Sequence, residues 1–154
     1  MNPTSEIPPD FPTTGRLAGV DFGDVRIGLA VTDPERILAS PLANYTRRSL
    51  EADAEFFQKV AREERIVGWV VGLPLYASGE ESPKAQEARR FGAWLAERTE
   101  LPVAFFDERF TSREATRVLG MAGATRKKKK KHTDSIAAQI LLRDFLEALP
   151  GSRP

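Results

Sequence analysis

The sequence predicts an α/β fold: a mixed sheet of about five strands, the first three antiparallel, with helices on both faces. Three observations carry this. From Leu17 to Tyr45 the chain passes through three β-prone stretches joined by short turns. From Ser49 onward, helical spacing alternates with short apolar runs, giving the order βββαβαβαα. Such alternation makes the later strands parallel and lays helices over the sheet. Finally, Ile66 to Val71 is an unbroken run of branched and aromatic residues interrupted only by Gly68, as a strand covered on both faces requires.

The elements follow in order. Residues 1–15 carry Pro3, Pro8, Pro9 and Pro12 among Ser, Thr and Asp, which predicts a flexible tail dispensable for the fold. The domain is expected over residues 16–149, with 150–154 a second tail. Leu17 to Asp33 reads as a hairpin: apolar Leu17, Ala18 and Val20, then Asp21, a turn at Phe22-Gly23-Asp24, then Ile27, Leu29 and Val31. Ile37 to Tyr45 is a third strand, and Pro41 places it at an edge or a bulge. Ser49 caps a helix to Arg65 through Phe56, Phe57, Val60 and Ala61. The strand from Ile66 ends at Gly72-Leu73-Pro74. Ser82-Pro83 opens a helix to Thr99, with Ala88, Phe91, Trp94 and Leu95 for the core. Val103 to Phe106 is the next strand, ending at Asp107-Glu108. Ser112 caps a short helix to Met121, Gly120 to His132 is a basic loop, and Thr133 caps a last helix to Leu149.

At 154 residues with 41% hydrophobic and 29% charged content, the chain suits one soluble domain with a real core. No apolar run approaches the ~20 residues of a membrane span, and no signal-peptide pattern opens the chain. With no cysteine there is no disulfide, no thiol nucleophile and no Cys-bound zinc. A cytoplasmic location is the expectation. Net charge is only +1, yet Arg126, Lys127, Lys128, Lys129, Lys130 and Lys131 form an unbroken basic run. A locally basic, globally neutral protein fits phosphate binding at one place.

Three acids each stand at the end of an element: Asp21 on the first strand, Glu108 past the last strand, and Asp134 in the first turn of the last helix. Strand ends of a parallel sheet converge on one rim, where sites form. Carboxylates gathered there need a counter-charge, and Mg²⁺ or Mn²⁺ supplies it through oxygen ligands. A pair of such ions about 4 Å apart activates water and steadies the leaving oxygen in phosphodiester cleavage. Plainer readings stand beside this one. Asp21 suits a hairpin turn, Glu108 could pair with Arg109 or Arg113, and Asp134 could complement a helix dipole. His132, the sole histidine, could orient the attacking water or be a solvated loop residue. The basic run beside Asp134 would grip a nucleic-acid backbone, with Arg26, Arg109 and Arg113 as further phosphate contacts.

The stretches GVDFGDVRIGLAVTD, VVGLPL, FFDERFTS and DSIAAQILLRDFL together resemble the successive motifs of the YqgF family, also called RuvX, from about Leu17 to Leu146. The resemblance implies an RNase H-like fold related to the RuvC resolvases. It implies Asp21, Glu108 and Asp134 as the catalytic, metal-binding triad. It implies a divalent-metal-dependent nuclease, either processing the 5′ end of pre-16S rRNA or resolving Holliday junctions in branched DNA. Where the family usually has Thr-Lys-Arg-Ile-Gly, this chain has Asp24-Val25-Arg26-Ile27-Gly28, which removes a lysine and adds an acid. Two other classes remain. The turn at Asp21-Phe22-Gly23 also resembles the phosphate turn of actin- and hexokinase-type ATPases, although one domain is too short for their two-domain clamp. A non-catalytic nucleic-acid-binding ribosome-assembly factor would keep the basic run and not need the triad. The expected partner is structured RNA or branched DNA, with no membrane, and the protein a monomer or a homodimer; symmetric junction cutting would require the dimer.

Overall fold

A computed structural model describes residues 5–107 and 126–149, with 126–133 described as helix backbone. The elements are β1 (Ser5–Glu6), β2 (Arg16–Asp21), β3 (Arg26–Thr32), β4 (Ala39–Thr46), α1 (Leu50–Glu63), β5 (Ile66–Leu73), α2 (Pro83–Thr99), β6 (Val103–Asp107) and α3 (Arg126–Ala148). They form a six-stranded sheet in the order β1-β6-β5-β2-β3-β4. β2, β5 and β6 run parallel, and β3 and β4 continue antiparallel from β2. This is the α/β mixed sheet that the sequence predicts, with one strand more.

Period-two alternation along each strand sorts the core into two layers. Ala18, Val20, Ile27, Leu29, Trp69 and Val71 face α1 and α2, packing on Phe57, Val60, Phe91 and Leu95. Leu17, Ala30, Val70 and Phe106 face the opposite side, where α3 supplies Ala138, Leu141, Leu142 and Phe145. Ser49 and Ser82 cap α1 and α2 as expected: each hydroxyl accepts the amide N–H three residues on, from Ala52 at 3.1 Å and Ala85 at 3.1 Å.

Three expectations change. The segment before Arg16, read as a dispensable tail, packs on the sheet. Ser5 and Glu6 pair antiparallel with Phe106 and Phe105, and Phe11 is buried against Phe145 with ring centroids 6.2 Å apart. Prolines discourage regular structure without preventing an edge pairing or an aromatic anchor. The third strand starts at Ala39 rather than Ile37, because the Asp33 carboxylate accepts the amides of Ile37 (2.8 Å) and Leu38 (2.7 Å) and holds both in the turn. The last helix already includes Arg126–Lys131 in its described backbone, so the basic run is helix rather than loop and Thr133 is no cap. Lys and Arg are good helix formers, and nothing from Arg126 to Asp134 breaks a helix. The expected short helix from Ser112 to Met121 lies outside the described residues, as do Arg109 and Arg113. Among the described residues, no helix is long and apolar enough to cross a membrane.

Arg89 on α2 holds β1 in place. Its Nη1 and Nη2 donate to the two Glu6 oxygens at 2.7 and 2.5 Å, while Nε donates to Glu81 at 2.7 Å. These bonds hold the Glu6 carboxyl below its usual range. A carboxylate lowered on folding adds stability that is complete above its unfolded value near 4.5 and disappears as pH falls through the lowered one. Glu6→Gln is therefore expected to lower the melting temperature at pH 7, by a modest amount because the pair is partly exposed, and the difference from wild type is expected to vanish as pH falls below the lowered carboxyl value, so that the acid limb of the profile is flatter.

Candidate active site

The site forms where α3 crosses the sheet. β2 ends at Asp21, whose partner across the β2–β3 pairing is Gly28. On its other side, Gly28 pairs with Asn44 of β4. Gly28 has no side chain, and the backbone of Asp134 on α3 fills that space. A Cβ at residue 28 would stand 2.0 Å from the Asp134 carbonyl oxygen and 2.7 Å from the Asp134 Cβ. Gly19, two residues before Asp21 on the same face, receives Ala138 in the same way, with the Ala138 carbonyl oxygen 3.0 Å from where a Cβ would stand. One turn of helix separates Asp134 from Ala138. Two glycines on two adjacent strands thus seat successive turns of α3. The side chain of Asn44 accepts the Ser135 amide at 2.9 Å, and Gln139 donates to the Ala39 carbonyl at 2.9 Å, so α3 is held in register.

The consequence is that Asp21 and Asp134, 113 positions apart in the chain, are brought to one face of the sheet at one rim. The parallel strands β2, β5 and β6 all end at this rim, at Asp21, Leu73 and Asp107. Asp21 is the last residue of β2 rather than a turn residue. Asp134 lies well inside α3, past the first turn where a helix dipole acts, so the dipole reading of Asp134 does not hold. Glu108, the third acid of the expected triad, follows β6 directly in sequence and lies outside the described residues. Among the described residues, no group of three Asp, Glu or His side chains is gathered for a metal. Two carboxylates brought to one rim are nonetheless a donor set suited to Mg²⁺ or Mn²⁺, which take hard oxygen ligands.

The expected phosphate contacts divide. Arg26, first residue of β3 and on the same face as Gly28, pairs with Asp134, its Nε 3.2 Å from Oδ2. The run Arg126–Lys131 occupies the turns of α3 that precede Asp134, and at 1.5 Å per residue its backbone extends about 12 Å from Asp134 to Arg126. His132 belongs to the same helical stretch.

Arg47 is a residue that sequence reading did not single out. Its Nη1 donates to the Gly23 and Asp24 carbonyls at 3.4 and 3.3 Å, and its guanidinium lies 5.0 Å from the centre of the Phe22 ring. Its own amide donates to Val25 at 2.9 Å. Buried Asp53 steadies it through an ion pair at 3.8 Å, while also accepting the Tyr45 hydroxyl at 2.6 Å and the Arg48 amide at 2.9 Å. Burial and the Asp53 carboxylate push the Tyr45 hydroxyl up to about 12. The hairpin turn beyond Asp21 is thereby tied to the start of α1. Gly28 and Gly19 carried a usable signal, since an isolated glycine inside a strand pattern marks close approach of another backbone. Arg47 carried none.

Known proteins resemble this chain over most of its length. The sequence profile of the RuvX family, described as Holliday junction resolvase, matches residues 15–148. A protein of Rhodopirellula baltica is 53% identical over 138 residues, covering 90% of this chain and 80% of that protein. One of Koribacter versatilis is 43% identical over 133 residues, covering 86% and 87%. Both carry the name "Putative pre-16S rRNA nuclease". Among solved structures, RuvC of T. thermophilus in complex with a Holliday junction substrate superposes with a TM-score of 0.57 at 19% identity, covering 91% of this chain and 99% of that one. At that identity the likeness speaks for the fold, which is RNase H-like.

Proposed function

The chain belongs to the RuvX family, and from that premise we propose that it is a metal-dependent endonuclease that hydrolyses phosphodiester bonds in structured nucleic acid, working in the cytoplasm at the 5′ end of pre-16S rRNA. The observation that carries this reading is the seating of Asp134 over Gly28, beside Asp21, at the rim where the parallel strands end. The names carried by the relatives favour the ribosomal RNA substrate. The RuvC likeness keeps the alternative, cutting of branched DNA, in view.

Asp21, Glu108 and Asp134 would hold Mg²⁺ or Mn²⁺, which would activate water and offset the negative charge on the phosphate oxygens. The chain's own part is placement. Asp21 ends a central strand, and Asp134 is fixed by the helix seat, so neither carboxylate has to be ordered when substrate arrives. The basic turns of α3 would take phosphates along the same helix that carries Asp134. Arg109 and Arg113, close to Glu108 in sequence, would add contacts, and His132 would stand near the attacking water.

The test sets two labelled substrates side by side, a precursor-rRNA 5′ segment and a four-way DNA junction, with Mg²⁺ or Mn²⁺ against EDTA. Metal-dependent cutting of the RNA is expected. Preferential cutting of the junction would move the chain to the resolvase alternative, for which a dimer is required by the paired cuts. Tight binding without cutting of either substrate would leave a non-catalytic assembly factor.

The basic run makes a separate prediction. Replacing Lys128 and Lys130 by alanine is expected to weaken binding evenly across sequences and to lower the slope of log affinity against log salt by about 0.7–0.9 for each phosphate no longer neutralised. An unchanged slope in a salt titration by fluorescence anisotropy would remove these lysines from the interface.

A further inference from the structure

The ion pair between Arg26 and Asp134 is unusual in its placement. It spans 108 positions of sequence and occupies a carboxylate that the proposed reaction needs for metal. Arg26 reaches Asp134 through Nε alone, and a guanidinium carries five N–H donors in a fork that suits phosphate oxygens. The Arg26 side chain is 46% exposed and that of Asp134 is 24% exposed, so the pair sits at the solvent edge of the rim, within reach of a polyanion. An exposed pair of this kind adds little to folding. Its significance lies in where it is.

We infer that Arg26 is the resident counter-ion of Asp134 and couples metal binding to nucleic-acid binding, leaving the carboxylate for a substrate phosphate when a divalent cation takes its place. This rests on the reading of Asp134 as a metal ligand. A guanidinium and a divalent cation cannot share one carboxylate without repulsion. A single and a double positive charge several ångströms apart in a water-like dielectric cost about a tenfold loss in affinity. A phosphate that draws Arg26 away relieves that cost. Metal then binds more tightly with substrate present, and by linkage substrate binds more tightly with metal present, by the same factor. The protein is thereby biased toward holding metal only when nucleic acid is in the site.

Two binding measurements, neither an activity, decide this. The first is titration of the nucleic-acid-free protein with Mn²⁺, followed by electron paramagnetic resonance. Arg26→Gln is expected to bind about tenfold more tightly than wild type, Arg26→Lys close to wild type, and Asp134→Asn more weakly. The second is fluorescence anisotropy of a labelled precursor-rRNA 5′ segment in Ca²⁺ against EDTA. Ca²⁺ is expected to tighten wild-type binding about tenfold more than it tightens Arg26→Gln binding, the remainder being the direct attraction between cation and phosphate. Thermal melting of each variant shows that the comparison is made on folded protein. Equal or weaker Mn²⁺ affinity in Arg26→Gln, or full Ca²⁺ coupling in that variant, overturns the inference while the metal site stands. Mn²⁺ binding that Asp134→Asn leaves unchanged overturns the metal-site reading and this inference with it.

Discussion

Asp21→Asn protein is expected to lose cleavage by at least a hundredfold, the scale on which removing one preorganised charge-stabilising group acts, while melting within about 3 °C of wild type. The two expectations belong together. Asparagine matches aspartate in size at the end of β2, so the pairing with Gly28 is kept and the α3 seat is undisturbed. What changes is the charge. One ligand to a hard cation becomes neutral. A variant that folds as well as wild type and does not cut separates chemistry from architecture. Full cleavage by Asp21→Asn would reduce Asp21 to a strand-end residue and leave the non-catalytic binding factor as the better reading.

Gly28→Ala is expected to fail in the opposite way, through architecture first. The new methyl would meet the Asp134 carbonyl oxygen at 2.0 Å and the carbonyl carbon at 2.1 Å. These are helix backbone atoms, and no side-chain rotation can remove them. α3 must lift, and Asn44 must give up or stretch its bond to Ser135. Overpacking against rigid backbone costs about 3 kcal/mol, or roughly 10 °C in a domain of this size. Asp134 moves with the helix, and a displacement of about 1 Å at a reacting centre is enough for a hundredfold loss of rate. Gly92→Ala is the control. Its methyl would meet the edge of the Phe105 ring at 2.5 Å, a side chain that can turn aside, on a helix that carries none of the site. Gly92→Ala should cost less stability and keep cleavage near wild type. If Gly28→Ala cuts at the wild-type rate, the seat does not position Asp134.

The amino-acid sequence by itself determined the layers and most of the elements. The two-residue alternation in β2 and β3, the continuous apolar run of β5 and the serine caps of α1 and α2 are local patterns, set by side-chain direction and backbone hydrogen bonding. They hold wherever the segment packs. The same patterns pointed to Asp21 at the end of a central strand, because a carboxylate there is costly without a cation. The start of α3 was a different matter. A lysine run reads as loop or helix with equal ease, since charge favours solvent while propensity favours helix, and continuity with the packed turns after Asp134 decided for helix. Pairing across long stretches of chain decided the rest. Phe11 could be known as an anchor only once the α3 face of the sheet existed to receive it. Arg47 became a brace because the turn after Asp21 folds back against the start of α1. Arg26 was visible as a phosphate contact, but its hold on Asp134 depends on the missing side chain of Gly28, which lets a helix from the far end of the sequence settle directly onto the strand.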